Sequence, residues 1–391
     1  MRSILRIASV TAVLWGCSGA EEIPEWCGSD VPGAKSILVS DATPPELRLR
    51  EIWRIGDGDG DEVLVGPGLP SVSSDGRVAV PDARGRTVIV IERDGQWVGP
   101  VVQEGPGPGE VQWPVDVEWI GEDKLLVFDL GRGRVLSLSL DGTTENEEWP
   151  VDPEVMAGVF SAGWLPDVDL SGRGDLLLEL PWSRIGGDPK SRIATVMRLR
   201  AHGPVDTLQT QVIQVVGESP LIDAAVPGVP RPTMAAATGG GIAIAGESSR
   251  YQISILNEAG RDSVVYCRDV PPVPYTAVEL GEPREDATDE GILRTLRHLP
   301  RPEEPSALGR LFIGNGGRLW VQRDRLDPLS GLPIEGGTYD VIAPDGRLVG
   351  EVRAPLRVTL FGEGGGHVYG LARGEYDEAE VVAYIIEGAG N

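Results

Sequence analysis

Imidazole, thiol and ammonium groups are all scarce in this chain of 391 residues, which has three His, three Cys and, at Lys35, Lys124 and Lys190, three Lys. His202, His298 and His367 are too scattered to make the closely spaced pair that a zinc site uses. The cysteines have no Cys-x-x-Cys spacing, so neither a zinc ribbon nor a dithiol redox motif is encoded. Positive charge is short overall: 35 basic residues face 60 acidic ones, a formal net charge of −25. That balance excludes nucleic acid as a partner, because phosphates need a basic footprint. It equally excludes docking on an anionic bilayer through a basic patch. No Gly-x-Ser-x-Gly elbow occurs, which disfavours a serine hydrolase of that plan. The apolar run Ile7–Trp15 is too short to span a bilayer.

Glycine and proline are plentiful, at 53 and 32 residues, with no Gly-X-Y period. They cluster between short apolar runs and read as turns joining many strands. Ser74-Asp75-Gly76 leads into Val78-Ala79-Val80-Pro81-Asp82, then a turn, then Thr87–Ile91 and Asp94-Gly95. The same sentence returns as Gly121-Glu122, Leu125–Asp129, a turn, Val135–Leu140 and Asp141-Gly142. Further turn-plus-strand anchors stand at Gly172–Gly174, Gly239–Gly241, Gly316-Gly317 and Gly364–Gly366. Six anchors and units of about 40–50 residues predict an all-β, six-bladed β-propeller of four-stranded antiparallel blades. Three strands fall in the last unit (Val358–Phe361, His367–Leu371, Val381–Ile386), and Glu51–Ile55 has no unit of its own. Pairing that N-terminal strand with the last blade would remove two exposed edges at once.

Three stretches result: a signal peptide over 1–16, a polar tether over 17–48 and the propeller over 49–391. A helical insertion is expected near 276–300. Its clearest part is 288–299, where Thr288 caps, acids fill the first turn and Pro300 ends it.

Arg2 and Arg6, the apolar run and Gly16 together form an export signal. Leu14-Trp15-Gly16-Cys17 resembles the lipobox of bacterial lipoproteins, with Trp15 where a small residue is usual. The resemblance implies diacylation of Cys17 and a lipid-anchored protein of the bacterial cell envelope, periplasmic or surface. In such an oxidising compartment Cys27 and Cys267 are either a disulfide stapling the tether to the body or two separate thiols.

Glu104-Gly105-Pro106-Gly107-Pro108-Gly109-Glu110-Val111-Gln112-Trp113-Pro114 resembles the interblade turn of a bacterial six-bladed propeller family related to NHL-repeat propellers. Asp129-Leu130-Gly131-Arg132-Gly133-Arg134-Val135 is similar to the NHL pattern, in which an Asp closes one strand and an Arg opens the next. Asp82–Val88 is a looser copy, with its Arg one residue early. Gly317–Arg323 and Pro344–Gly350 resemble the family's fifth blade. The resemblance covers about residues 50 to 388 and implies a fold and a location; it supplies no shared catalytic set.

Few residues invite chemistry. Asp57-Gly58-Asp59-Gly60-Asp61-Glu62 begins like a calcium loop but has Glu and Gly where the sixth and twelfth positions need Gly and Glu. Calcium is thus the one cofactor raised, and an acidic turn explains the run as well. Gly105–Gly109 lacks the N–H groups and following helix that a phosphate loop needs. Asp82 with Arg86 and Asp129 with Arg134 read as turn-closing ion pairs. Trp113, Trp119, Trp164, Trp182 and Trp320 read as interblade packing. The function expected is a non-enzymatic module binding a peptide, glycan or protein, touching the membrane through its lipid alone. The competing reading is a metal-dependent hydrolase or lyase at the central channel. It would need three or more of the candidates Asp82, Asp129, Glu179, Glu247, Asp324 and His367 to converge at one mouth.

Overall fold

The computed structural model describes residues 23–28, 33–39, 44–56, 62–140, 147–151, 156, 168–170, 175–184, 191–199, 205–214, 233–236, 241–245, 250–257, 260–271, 273–277, 279–282, 293–294, 297–298, 303, 305–314, 316–323, 337–374 and 378–388. Strands dominate them. Two come first, β1 (Lys35–Leu38) and β2 (Glu46–Ile55). The first antiparallel set is β3 (Ser71–Val72), β4 (Val78–Asp82), β5 (Thr87–Ile91) and β6 (Trp97–Val102). The second is β7 (Pro114–Ile120), β8 (Lys124–Asp129), β9 (Arg134–Ser139) and β10 (Glu147–Pro150). The third is β11 (Val168–Leu170), β12 (Leu176–Arg184), β13 (Ser191–Leu199) and β14 (Val205–Gln214). The fourth is β15 (Thr233–Ala236), β16 (Ile242–Ala245), β17 (Tyr251–Leu256) and β18 (Asp262–Arg268). The fifth is β19 (Leu311–Ile313), β20 (Leu319–Gln322), β21 (Thr338–Ile342) and β22 (Leu348–Arg353). The last three strands, β23 (Val358–Gly364), β24 (His367–Arg373) and β25 (Ala379–Glu387), take β2 as their fourth.

β2 runs antiparallel to β25 from Arg48↔Glu387 to Ile55↔Val381. Its first two residues also pair in parallel with β22, at Glu46↔Glu351 and Leu47↔Val352, which fuses the fifth and last sets into one eight-stranded sheet. The first strands of the sets touch in a closed cycle: β3 to β7, β7 to β11, β11 to β15, β15 to β19, β19 to β23, and β23 back to β3.

Strand periodicity explains the cycle. Successive side chains point to opposite faces, so Val78 and Val80 pack with Tyr369 and Val381 of the last set, while Ala79 packs with Val117 and Trp119 of the second. A core of this kind fills every gap between neighbouring sets, and no set buries both faces alone. Trp119 and Trp320 are fully buried in these seams. Trp113 corrects the packing expectation: it stands in the loop approaching β7, outside the seams, and is 40% exposed. The side chains of Trp164 and Trp182 lie outside the described residues. At the junction of the first and last sets, a Cβ on Gly362 would come within 2.5 Å of Val72 Cγ2, so glycine permits that close approach.

The N-terminal stretch differs from the tether expected over 17–48. β1 pairs in parallel with the outer strand β18, from Lys35↔Val264 to Leu38↔Cys267, and β2 already begins at Glu46. The short run Ile37-Leu38-Val39 supplies the apolar contact: Ile37 and Val39 pack with the seam that holds Tyr266, and Val39 is fully buried. In the expected helical insertion, Leu293, Arg294, Arg297 and His298 are helical, and the remainder of 288–299 lies outside the described residues. No helix among the described residues is long and apolar enough to cross a membrane. The chain thus has an all-β, propeller-like architecture.

Candidate functional site

Because the first strands close a cycle, their inward side chains line a central cavity to which all six sets contribute. Its volume is about 110 Å³, room for several waters or for one end of a larger ligand. Leu69, Val72, Phe312 and Phe361 give it apolar walls. Ser71, Asp116, Glu118, Asp169, Thr233 and Arg310 place polar groups at separate points, and Glu363 lies at the far end of β23.

Most of these carboxylates bind the wall they stand in. Ser71 Oγ–H of the first set donates to Glu118 Oε2 of the second at 2.6 Å. The Ala236 N–H of the fourth set donates to Asp169 Oδ2 of the third at 2.8 Å. Glu363 accepts Trp320 Nε1–H at 2.8 Å and pairs with Arg318, joining the last set to the fifth. Burial pushes the Arg318 pKa down. Asp116 accepts the N–H of Val117 at 2.9 Å and is buried. Arg310, just before β19, is exposed, and among the described residues its guanidinium has no hydrogen-bonding or ionic partner. Among the described residues no three His, Cys, Asp or Glu side chains come together as metal ligands.

Of the six channel-mouth candidates, the three whose side chains are described, Asp82, Asp129 and His367, are not brought together, and none of them lines the cavity. Asp82 is buried and accepts N–H bonds from Val65, Gly66 and Gly85, at 2.8, 2.9 and 2.9 Å. Asp129 does the same for Gln112 and Trp113, with Arg134 at 3.6 Å. Both clip the loop approaching the set to which they belong. Arg86 corrects the expected pairing: it bonds Glu104, not Asp82. The early Arg sits in the turn at φ 54°. His367 opens β24 beside the turn of the first set and does not line the cavity. Its Nδ1 is 3.3 Å from Tyr369 Oη, whose O–H donates to the Gly76 carbonyl at 2.6 Å. Burial and then the charge of Arg93 lower the His367 pKa, while burial raises that of Tyr369. Glu179 lies in β12 opposite Val196, but its side chain is outside the described residues, as are Glu247, Asp324 and the Asp57–Asp61 run. Cys17 is also outside them.

Sequence reading missed Asp116, Glu118, Asp169 and Arg310. The signal was present in Pro114-Val115-Asp116-Val117-Glu118-Trp119-Ile120, an otherwise apolar strand with acids at alternate positions. Two acids on one face of a buried strand need partners or a function.

No family model matches the chain, and no curated protein sequence does. Solved structures do resemble it. A member of the DUF4221 family from Bacteroides vulgatus is 10% identical, with a TM-score of 0.51 over 88% of this chain and 99% of that one. A virginiamycin B lyase from Staphylococcus aureus is 12% identical, with a TM-score of 0.37 over 87% of this chain and 89% of that one. A gluconolactonase from Xanthomonas campestris is 14% identical, with a TM-score of 0.40 over 88% and 98%. The likeness is one of fold.

Proposed function

We propose that this protein is a lipid-anchored, six-bladed β-propeller of the bacterial cell envelope that binds a peptide, glycan or protein at its central cavity and is not an enzyme. Six four-stranded sets, each touching the next through its first strand, support the blade count. The basic flank, apolar run and Cys17 of the sequence support export and acylation. Two or more acyl chains on Cys17 would hold the protein at a bilayer, at about 0.8 kcal/mol per buried methylene.

One observation carries the binding reading. The cavity combines apolar walls with singly placed polar groups, and Glu118, Asp169 and Glu363 are engaged in bonds between neighbouring sets. Such a lining orients a ligand through a few polar contacts. Among the described lining residues, Arg310 is a polar group free to make one.

Screening the mature protein against peptide and glycan arrays, then titrating the hits calorimetrically, tests this. Arg310→Ala should weaken binding of hits tenfold or more without unfolding the chain. Unchanged affinity would remove the cavity from consideration. Stoichiometric calcium or zinc in the purified protein, together with turnover of a lactone, would favour the enzyme reading instead.

A further inference from the structure

We infer that the Cys27–Cys267 disulfide fixes how the protein stands on a membrane, holding the outer rim of the fourth strand set beside the bilayer and turning the first set away. The inference rests on the acylation of Cys17 proposed above.

The two cysteines are bonded across 240 residues of sequence, with Cα atoms 5.7 Å apart. Cys267 lies in β18, the outermost strand of its set before β1 is added. Both cysteines are buried in a small cluster with Val265, Trp26 and Leu38. The surrounding contacts converge on the same rim. Gln252 Nε2–H donates to the Gly28 carbonyl at 3.0 Å, the Arg250 guanidinium is 5.8 Å from the centre of the Trp26 ring, and Val39 N–H donates to the Cys267 carbonyl at 2.7 Å. Beyond β1 the chain crosses to the fifth set, where the Pro45 carbonyl accepts Glu351 N–H at 3.0 Å, and then enters the last set as β2. The N-terminal segment is therefore a belt over three outer rims, fastened covalently at its start.

The belt changes the reach of the anchor. Ten residues lead from Cys17 to Cys27, and fully extended they span at most about 36 Å. If β2 alone held the chain, twenty-nine residues would lead from Cys17 to Glu46, a reach of about 100 Å. In the cycle of sets the fourth is opposite the first. Pinning the fourth therefore leaves the first outermost and both ends of the central cavity facing sideways, within reach of a partner beside the protein.

The test uses the full-length acylated protein in liposomes containing a headgroup-labelled acceptor lipid. A donor dye is placed through an unnatural amino acid at Arg261, in the turn between β17 and β18, or at Gln96, in the equivalent turn between β5 and β6. Energy transfer should be stronger from position 261 than from 96. In Cys27→Ser/Cys267→Ser the difference should fall by half or more, because the free length up to β1 becomes eighteen residues, about 60 Å. Ten Gly/Ser residues inserted after Ser18, with the disulfide intact, should lower it similarly, which guards against a double variant that fails to fold. Equal transfer from the two positions in the intact protein, or a difference unmoved by the insertion, overturns the inference. Intact mass and vesicle flotation read the anchor separately. Protein that is neither acylated nor floating sinks the anchor reading and this inference with it; acylated, floating protein with equal transfer sinks the inference alone.

Discussion

Asp129 and Glu118 stand on adjacent strands of one sheet, yet they serve different ranges of structure. Asp129 gathers the amides of Gln112 and Trp113, which approach its own sheet, and stands beside Arg134. Glu118 reaches Ser71 of the neighbouring set and lines the cavity while doing so. The first contact completes one unit. The second joins two units and exists only once those two have packed together. Asp82 repeats the first role, and Asp169, by accepting Ala236 N–H, repeats the second.

Substitutions can break this contrast. Asp129→Ala should have the largest effect, because it leaves buried amides without their acceptor and takes from buried Arg134 one of its two carboxylates, the other being Glu148; a loss of about 3 kcal/mol is expected, read from the denaturant midpoint. Asp82→Ala, with three amide bonds but no arginine, should lose about 2–3 kcal/mol in the same assay. Glu118→Ala should lose about 1 kcal/mol, since its half-buried carboxylate is nearer water, and Glu118→Gln should restore most of that. If Glu118→Ala proves as damaging as Asp129→Ala, the distinction between unit and ring contacts is wrong.

The smallest effect is expected at His367. Burial and Arg93 hold its folded pKa below the ordinary imidazole value, so the unfolded chain takes up the proton at higher pH. Its contribution is therefore complete above the unfolded pKa of about 6.5 and is lost as pH falls through the lower folded value. The stability difference between the parent and His367→Gln should shrink from about pH 8 to pH 5. A difference constant across that range would show that His367 does not titrate differently on folding.

The repeated strands were legible because a pleated strand writes its period locally, and the turns between them are written in Gly and Asp. That Asp82 and Asp129 would act at a turn of their own unit could be read in the same way, but not that each would hold amides of the incoming loop. Arg86 could not, because a shift of one residue in a turn redirects the whole side chain. β1 was hidden in a polar stretch, where only the edge of β18, more than two hundred residues away, gives its short apolar run something to cover. The same distance kept the Cys27–Cys267 bond undecided in sequence.

The sequence by itself determined a chain of short antiparallel strands in repeating units, with acids set at their turns, because hydrogen bonding and side-chain alternation act over a few residues. Tertiary structure alone decided which carboxylates line the central cavity, which cysteines bond and where the N-terminal belt is fastened. Those contacts join residues that become neighbours only after the sheets have packed face to face around the ring.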